Sequence, residues 1–378
     1  MIKINDKTKC SGCHACASIC PKSCITMERD EEGFLYPIVN ETLCTDCGIC
    51  ERVCPIVEKN KTDDNPCAYA VKNANLDVRM QSSSGGVFSA FAEDIISSGG
   101  VVFGAAFDEN FKVCHICVDN INDLSKLRGS KYVQSEIGDT YKQAKEYLDA
   151  EKSVFFTGTP CQIEGLLKYL GKRYDKLITA DIICHGVPSP TVWKTYLETL
   201  TKKPKQIYFR NKDAGWGKPS FKIVYEDESV SVFPMTQNPY TKVFLKNICL
   251  RPSCYSCNFK TKNRISDLTL ADFWGIEYIE PEINDDKGVS LLLVHTKKGE
   301  EFVNSLDSKI DKKEVNLEKA LKMNTPALKS AKLTSKRKKF MNEYTKETFA
   351  EISEKYTKTT FLQKVKGKIK RLARKIFK

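Results

Sequence analysis

Two stretches of the sequence, CSGCHACASICP at residues 10–21 and CTDCGICERVCP at residues 44–55, share one arrangement of cysteines. In each stretch three cysteines are spaced two residues apart, a fourth follows after three more residues, and a proline comes next. The spacing is that of bacterial ferredoxins with two [4Fe-4S] clusters, in which the fourth cysteine of each run binds the other cluster. We therefore predict two ligand sets, which are Cys10, Cys13, Cys16 and Cys54, and Cys44, Cys47, Cys50 and Cys20.

A pair of zinc knuckles is the alternative interpretation of these stretches. Zinc sites use C-x2-C pairs separated by a longer loop, whereas three ligands within seven residues suit a cubane cluster. Cys24 falls outside the pattern and is predicted to be a small packed residue. Residues 1–60 are thus predicted to form a ferredoxin-like domain that is held together by metal more than by a large apolar core.

Length and charge limit the remaining possibilities. A chain of 378 residues is expected to hold two or three domains. The net charge is +12, but the last 18 residues carry six lysines, two arginines and no acid, so the other 360 residues carry only +4. A general nucleic-acid surface is therefore not expected. The 17 cysteines and the absence of a signal-like N-terminus favour a cytoplasmic protein whose thiols bind metal.

The residues after the first domain have the pattern of an α/β fold. The segments SVFFTGTPCQIEGLLKYL and LITADIICHGVPSPTVWKTYLETL each read as a buried strand, a turn and a helix. Two such units in succession predict a mixed sheet that is parallel in part. We predict an α+β or α/β body in two parts, residues 67–150 and 151–325, followed by a basic helical tail over residues 326–378.

A third set of cysteines lies in this body. Cys249, Cys254 and Cys257 have the spacing C-x4-C-x2-C, which is also the plant-type spacing of a two-iron cluster. Cys184, at the end of a predicted strand, is the preferred fourth ligand, and Cys161 is the competing one. Zinc is again an alternative, with His185 as a possible ligand or as a partner of the ligands.

From residue 82 onward the chain resembles the beta subunit of coenzyme F420-reducing hydrogenases and dehydrogenases, a family that also contains 7-hydroxymethyl chlorophyll reductase. The resemblance covers about residues 68 to 320. It is carried by six stretches in the family's order: SSSGGVFSAFA (82–92), SKYVQS (130–135), GTPCQ (158–162), CHGVPSPTVW (184–193), RPSCYSCNFK (251–260) and ISDLTLADFWG (265–275).

The resemblance implies a flavoprotein that carries FAD and a third cluster of the [4Fe-4S] type. The residues themselves leave other interpretations open, because serines before a helix are also ordinary N-caps and Cys161 could be a buried inert thiol. No G-x-G-x-x-G motif is present. The predicted cofactor contacts are Ser82, Ser83, Ser84, Gly85, Gly86, Lys131, Tyr132, Gln134, Gly158, Thr159 and Cys161.

The predicted function is that of an iron–sulfur flavoprotein oxidoreductase acting on a small substrate or a deazaflavin coenzyme, and some relatives belong with surface-polysaccharide assembly. A non-catalytic electron-relay subunit of a larger complex is the alternative. No general acid or base is assigned, because flavin chemistry does not require one. Apolar residues along one face of the basic segment Phe361 to Lys378 suit either a membrane surface or a packed terminal helix, so contact with the inner face of a membrane stays a prediction. The sequence does not identify the redox partner or the oligomeric state.

Overall fold

A computed structural model describes residues 1–58 and 65–358. The basic segment from Phe361 to Lys378, with its predicted membrane contact, lies outside the described residues. None of the described helices is both long and apolar enough to span a bilayer.

The N-terminal unit, residues 1–58, contains little regular structure. Its elements are α1 (Ala15–Ile19), β1 (Ile25–Arg29), β2 (Leu35–Val39) and α2 (Ile49–Arg52). The two strands form an antiparallel hairpin in which Ile25 faces Val39. Its buried apolar side chains form two small clusters in which cysteines are prominent. A unit of this size without a larger core usually needs a metal or another staple to stay folded.

The body is built on one eight-stranded mixed sheet. Its strands follow the order β13-β3-β12-β11-β7-β6-β4-β5, and β4, β6, β7 and β11 run parallel to their neighbours within that group. A separate three-stranded antiparallel sheet has the order β10-β9-β8. The strands are β3 (Cys67–Asn73), β4 (Val101–Phe107), β5 (Val113–Val118), β6 (Val154–Gly158), β7 (Leu177–Ile182), β8 (Pro204–Asn211), β9 (Ser220–Tyr225), β10 (Val230–Pro234), β11 (Leu268–Asp272), β12 (Ser290–Val294) and β13 (Ile310–Glu314).

Helices cover both faces of the large sheet. Val102 and Phe155 pack with α4 on one face, while Phe103 and Phe156 pack with α5 and α6 on the other. The helices of the body are α3 (Leu76–Gln81), α4 (Val87–Ser97), α5 (Thr140–Asp149), α6 (Pro160–Leu170), α7 (Pro190–Leu197), α8 (Pro239–Leu245), α9 (Ile276–Ile279), α10 (Lys297–Asn304), α11 (Leu317–Met323), α12 (Lys336–Glu343) and α13 (Phe349–Thr357).

The predicted mixed sheet is therefore present, and residues 220–234 form a hairpin of β9 and β10. The two predicted parts of the body share this sheet, since β3, β4 and β5 come from residues 67–150 and the other five strands from later residues. The described part of the predicted tail contributes α12 and α13, which pack against an aromatic cluster around Trp193.

The N-terminal unit is docked closely on the body. The guanidinium of Arg337 donates two hydrogen bonds to the carboxylate of Glu32, at 2.9 and 2.6 Å. Beside this pair, Gly33 has a φ of +82° and touches Thr191, so that a Cβ at Gly33 would lie 1.9 Å from Thr191 Oγ1. Only glycine suits both the backbone angle and the close approach.

Replacing Gly33 with alanine is expected to weaken this docking. Gly99→Ala is a matched control, because Gly99 has a φ of +79° but nothing lies within 4 Å of its added Cβ. The control should cost about 1–2 kcal/mol through the backbone angle alone. Gly33→Ala should cost about 1–3 kcal/mol more, because Thr191 must move.

Anaerobic thermal unfolding of the two variants measures this difference. Adding Thr191→Ala to Gly33→Ala removes the nearest atom and should recover part of the loss. Equal unfolding midpoints for the two glycine variants would show that the contact with Thr191 is unimportant.

Candidate electron-transfer site

The first group, Cys10, Cys13, Cys16 and Cys54, comes together in the N-terminal unit. All four cysteines are buried. Burial raises the pKa of the Cys13 thiol, and the neighbouring thiols of Cys16, Cys54 and Cys10 raise it further. Binding of a metal or cluster there would have to displace the thiol protons. The neighbours of Cys13 are thus the three other residues of the predicted set.

The second group, Cys20, Cys44, Cys47 and Cys50, lies nearer the surface of the same unit. Cys47 is exposed, while the backbone N–H of Ile2 donates to Cys50 Sγ at 3.3 Å. A fifth cysteine, Cys24, is buried with its Sγ 3.3 Å from Cys20 Sγ. Its pKa is raised to about 11, first by its hydrogen bond to Cys20. The sequence spacing left Cys24 outside the pattern, and the structure places it directly beside the group.

The third group consists of Cys161, Cys184, Cys254 and Cys257. These four cysteines line one pocket. Burial raises the pKa of Cys161 well above its ordinary value, and the thiols of Cys257 and Cys184 raise it further. Burial likewise raises the pKa of Cys254 to about 12, with smaller contributions from Cys184 and Cys257.

Cys249 does not join this group, although its spacing predicted that it would. Its side chain is fully buried in the aromatic cluster around Trp193 and Tyr240. Its pKa is raised to about 12 by burial, and Arg337 is the charged side chain that opposes this shift. Cys161, predicted as the competing fourth ligand, lines the pocket together with Cys184, Cys254 and Cys257.

The sheet explains why Cys161 and Cys184 meet. They follow the carboxyl ends of β6 and β7, which are adjacent and parallel, with Gly158 paired to Asp181. The ends of parallel strands lie at one edge of a sheet, where α/β proteins usually bind ligands. Thr159 caps α6 in a capping box with Gln162, so Gly158 and Thr159 position the start of the helix and Thr159 Oγ1 lies 3.2 Å from Cys161 Sγ.

Basic groups surround the third group. Lys260 Nζ donates to the carbonyls of Cys184 and Pro326, and Arg264 also lines the pocket. His185, the predicted alternative ligand, is instead 2.6 Å from Asn247 Oδ1 through Nε2, and burial lowers its pKa. The chemistry of the donor set, four thiols beside two cations, fits an anionic cluster with thiolate ligands.

Helix α6 connects the third group with the first. Cys161 lies in its first turn, and the Cys13 thiol is among the groups that raise the pKa of Cys161. One turn further, a Cβ at Gly165 would lie 3.1 Å from Cys13 Sγ. Across residues 1–58 and 65–358, no three His, Cys, Asp or Glu side chains are positioned to hold a single metal ion together.

The predicted flavin loop lies before α4. Ser82 and Ser84 donate their hydroxyls to the carbonyls of Val78 and Val289, and Gly85 N donates to Ser290 Oγ. Gly86, with a φ of +80°, starts the helix. Ser83 Oγ accepts from the N–H and the hydroxyl of Ser130. The hydroxyl proton of Ser83 and the first N–H groups of α4, which have no partner within the helix, are donors of the kind that bind phosphate.

Lys131, Tyr132 and Gln134 are already engaged in the protein. Lys131 Nζ donates to the carbonyls of Lys126 and Arg128, and burial lowers its pKa to about 7. The ring of Tyr132 stacks on Phe244 with centroids 4.7 Å apart. Gln134 donates to the carbonyl of Ser11 in the N-terminal unit.

Arg210, next to Tyr132, is a residue that sequence reasoning missed. It is buried, and its Nη1 donates to Asp272 at 2.7 Å, while among residues 1–58 and 65–358 its Nε and Nη2 make no hydrogen bond of good geometry and Tyr132 is the polar side chain beside them. Its guanidinium lies 4.9 Å from the ring centroid of Trp274, which stacks on Trp216. Buried polar groups without a partner usually mark the place of a missing ligand or water. No sequence motif surrounds Arg210, so no signal in the sequence could have found it.

Comparison with known proteins agrees with this architecture. Residues 9–56 match the family described as a 4Fe-4S dicluster domain. Residues 151–320 match the family described as the C terminus of the beta subunit of coenzyme F420 hydrogenase/dehydrogenase. The first matched range contains the first and second cysteine groups, and the second matched range contains the third group.

Among curated proteins, the chain is similar to coenzyme F420-dependent sulfite reductase of Methanocaldococcus jannaschii, with 28% identity over 359 residues. The match covers 90% of this chain and 52% of the relative, so the chain spans about half the length of that protein. Among solved structures, a chain of the F420-reducing [NiFe] hydrogenase complex from Methanosarcina barkeri aligns with a TM-score of 0.47 and 16% identity, covering 75% of this chain and 94% of that one.

Proposed function

We propose that the chain, whose residues 9–56 match a 4Fe-4S dicluster domain and whose residues 151–320 match the C terminus of the coenzyme F420 hydrogenase/dehydrogenase beta subunit, is an iron–sulfur oxidoreductase that carries three [4Fe-4S] clusters and FAD. When bound, the clusters supply one-electron transfer and the flavin supplies two-electron chemistry. The chain's own residues provide the thiolates, the cations beside them and a water-poor setting.

One observation carries this proposal. Twelve cysteines fall into three groups of four, and helix α6 carries Cys161 of the third group in its first turn and, one turn further, Gly165 against Cys13 of the first group. The second group lies in the same small unit as the first, and its Cys47 is exposed. The groups therefore form a continuous series from the surface of the N-terminal unit to the edge of the large sheet.

The donors for FAD lie on a connected stretch of the body. Ser83 and the start of α4 can hold phosphate, and Arg210, Tyr132 and Trp274 can hold a ring or an anionic group. Lys212 lies between the serine loop before α4 and the side chains of Arg210 and Tyr132. Its Nζ donates to the carbonyls of Ser84 and Arg79, and Arg210, two residues earlier in the chain, lies beside Tyr132. Burial lowers the pKa of Lys212 to about 8.

The substrate is proposed to be a deazaflavin coenzyme or a small molecule that such a coenzyme reduces, because the similar protein of M. jannaschii is named for F420 and sulfite. The chain covers only half of that protein. A role as an electron-relay subunit for a catalytic partner is therefore the second candidate. The role in surface-polysaccharide assembly rests on the sequence resemblance alone and stays a prediction.

Anaerobic purification followed by iron, sulfide, zinc and flavin analysis tests the proposal. We expect about twelve iron and about twelve acid-labile sulfide per chain, one FAD and no stoichiometric zinc. Zinc without sulfide would overturn it. Turnover of reduced F420 or of an artificial donor by the purified chain alone distinguishes the enzyme from the relay subunit.

A further inference from the structure

The side chain of Arg251 lies between the N-terminal unit and the body, and it is fully buried. Its Nε donates to the carbonyl of Cys10 at 2.8 Å, and its Nη2 donates to the carbonyl of Leu35 at 2.9 Å and to Cys10 Sγ at 3.5 Å. Its Nη1 donates to Gln134 Oε1 at 3.0 Å. The guanidinium also lies 4.3 Å from the ring centroid of Tyr36. This cation is therefore held in place on every side.

Among residues 1–58 and 65–358, no carboxylate forms a salt bridge with Arg251, although Arg337 is paired with Glu32. An isolated buried charge is costly, and buried cations in proteins are nearly always paired with an anion. The contact of Nη2 with Cys10 Sγ supplies that anion once the thiol is ionised as a ligand.

We propose that Arg251 is the buried counter-charge of the first cysteine group and raises the reduction potential at that group. This inference rests on the proposed cluster content of the chain. Reduction by one electron adds one negative charge to the group, so a fixed cation near Cys10 Sγ stabilises the reduced state more than the oxidised state. Hydrogen bonds to ligand sulfur act in the same direction. Arg251 is thus a positioning residue and touches no substrate.

The position of Arg251 in the chain makes this effect depend on docking. Cys10 belongs to the N-terminal unit, whereas Arg251 and Gln134 belong to the body. Arg251 also lies close to the third group, because the backbone N–H of Cys254 donates to the Arg251 carbonyl at 3.0 Å. The charge of Arg251 opposes the rise in the pKa of Cys254. The potential of the first group is therefore set by the assembled protein.

A redox titration monitored by EPR tests the proposal on the complete chain. The signal of the first group is identified by its loss in Cys13→Ser. In the Arg251→Met variant, the ratio of reduced to oxidised cluster at the first group, measured at a fixed potential, should fall about tenfold or more. For a one-electron couple, this tenfold change corresponds to a reduction potential that is lower by about 59 mV. Arg251→Lys keeps the charge and should restore most of the shift, which a purely structural role would not explain.

Gln134→Glu provides a second variant that keeps Arg251 in place. It places a carboxylate beside Arg251 Nη1 and offsets part of the positive charge. The ratio of reduced to oxidised first group should therefore fall, as it does in Arg251→Met. An unchanged ratio in both Arg251→Met and Gln134→Glu, with iron content retained, overturns the inference. A parent protein without iron and sulfide overturns the proposed function itself, and iron analysis separates that result from the other.

Discussion

Replacing Cys161 with alanine should reduce the iron content from about twelve to about eight atoms per chain, with a matching loss of sulfide. Cys161 lies in one pocket with Cys184, Cys254 and Cys257, so its loss removes one of four thiolates. The pocket then offers three thiolates, one fewer than the four that a [4Fe-4S] cluster takes. The first and second groups keep all their cysteines, so their EPR signals after reduction should persist.

Cys249→Ala is the matched control for this substitution. Cys249 is also a buried cysteine of the body, but it packs against aromatic side chains and not against other thiols. Its replacement should leave the iron and sulfide content unchanged and cost only the packing of a small side chain, about 1 kcal/mol. Iron loss in Cys249→Ala together with full iron in Cys161→Ala would favour the ligand set that the C-x4-C-x2-C spacing indicated.

Replacing Arg210 with methionine is expected to lower FAD affinity about tenfold or more without changing the iron content. The guanidinium is buried beside Tyr132 and Trp274, and among residues 1–58 and 65–358 its Nε and Nη2 make no hydrogen bond of good geometry. Removing a buried charged donor from a ligand commonly costs about 2–5 kcal/mol of binding free energy. Flavin released by denaturation and measured by fluorescence, over a series of added FAD concentrations, gives the affinity.

Two further variants separate the loss of the cation from the disturbance of its partner. Asp272→Asn removes the carboxylate that pairs with Arg210 but keeps the cation, so it should retain flavin. The double variant Arg210→Met with Asp272→Asn leaves no unpaired carboxylate and should still lose flavin. Normal FAD affinity in the double variant would place the flavin away from Arg210.

The fold could be predicted in outline because its elements have strong local signals. The strands ending at Gly158 and Ile182 are short apolar runs followed by a turn and a helix, and the parallel pairing of β6 with β7 follows from this order. The strand β13 at one end of the large sheet has no such signal. It is placed by its long-range pairing with β3.

The cysteine spacing by itself determined that Cys10, Cys13 and Cys16 lie together, because three cysteines within seven residues must approach one another whatever the rest of the chain does. The repeated run also predicted that Cys54 crosses to this group, and Cys54 is buried near Cys13. The family resemblance added the body and the expectation of a flavin.

Only the tertiary structure decided which cysteine completes the third group and which cation faces the first. Cys249 is five residues from Cys254 in the chain, yet the backbone turns its side chain into an aromatic core, whereas Cys161, more than ninety residues away, is brought in by parallel strands. Arg251 and Cys10 are 241 residues apart. Sequence spacing fixes contacts within a turn or two of chain, while the register of a sheet and the docking of domains fix the contacts on which electron transfer depends.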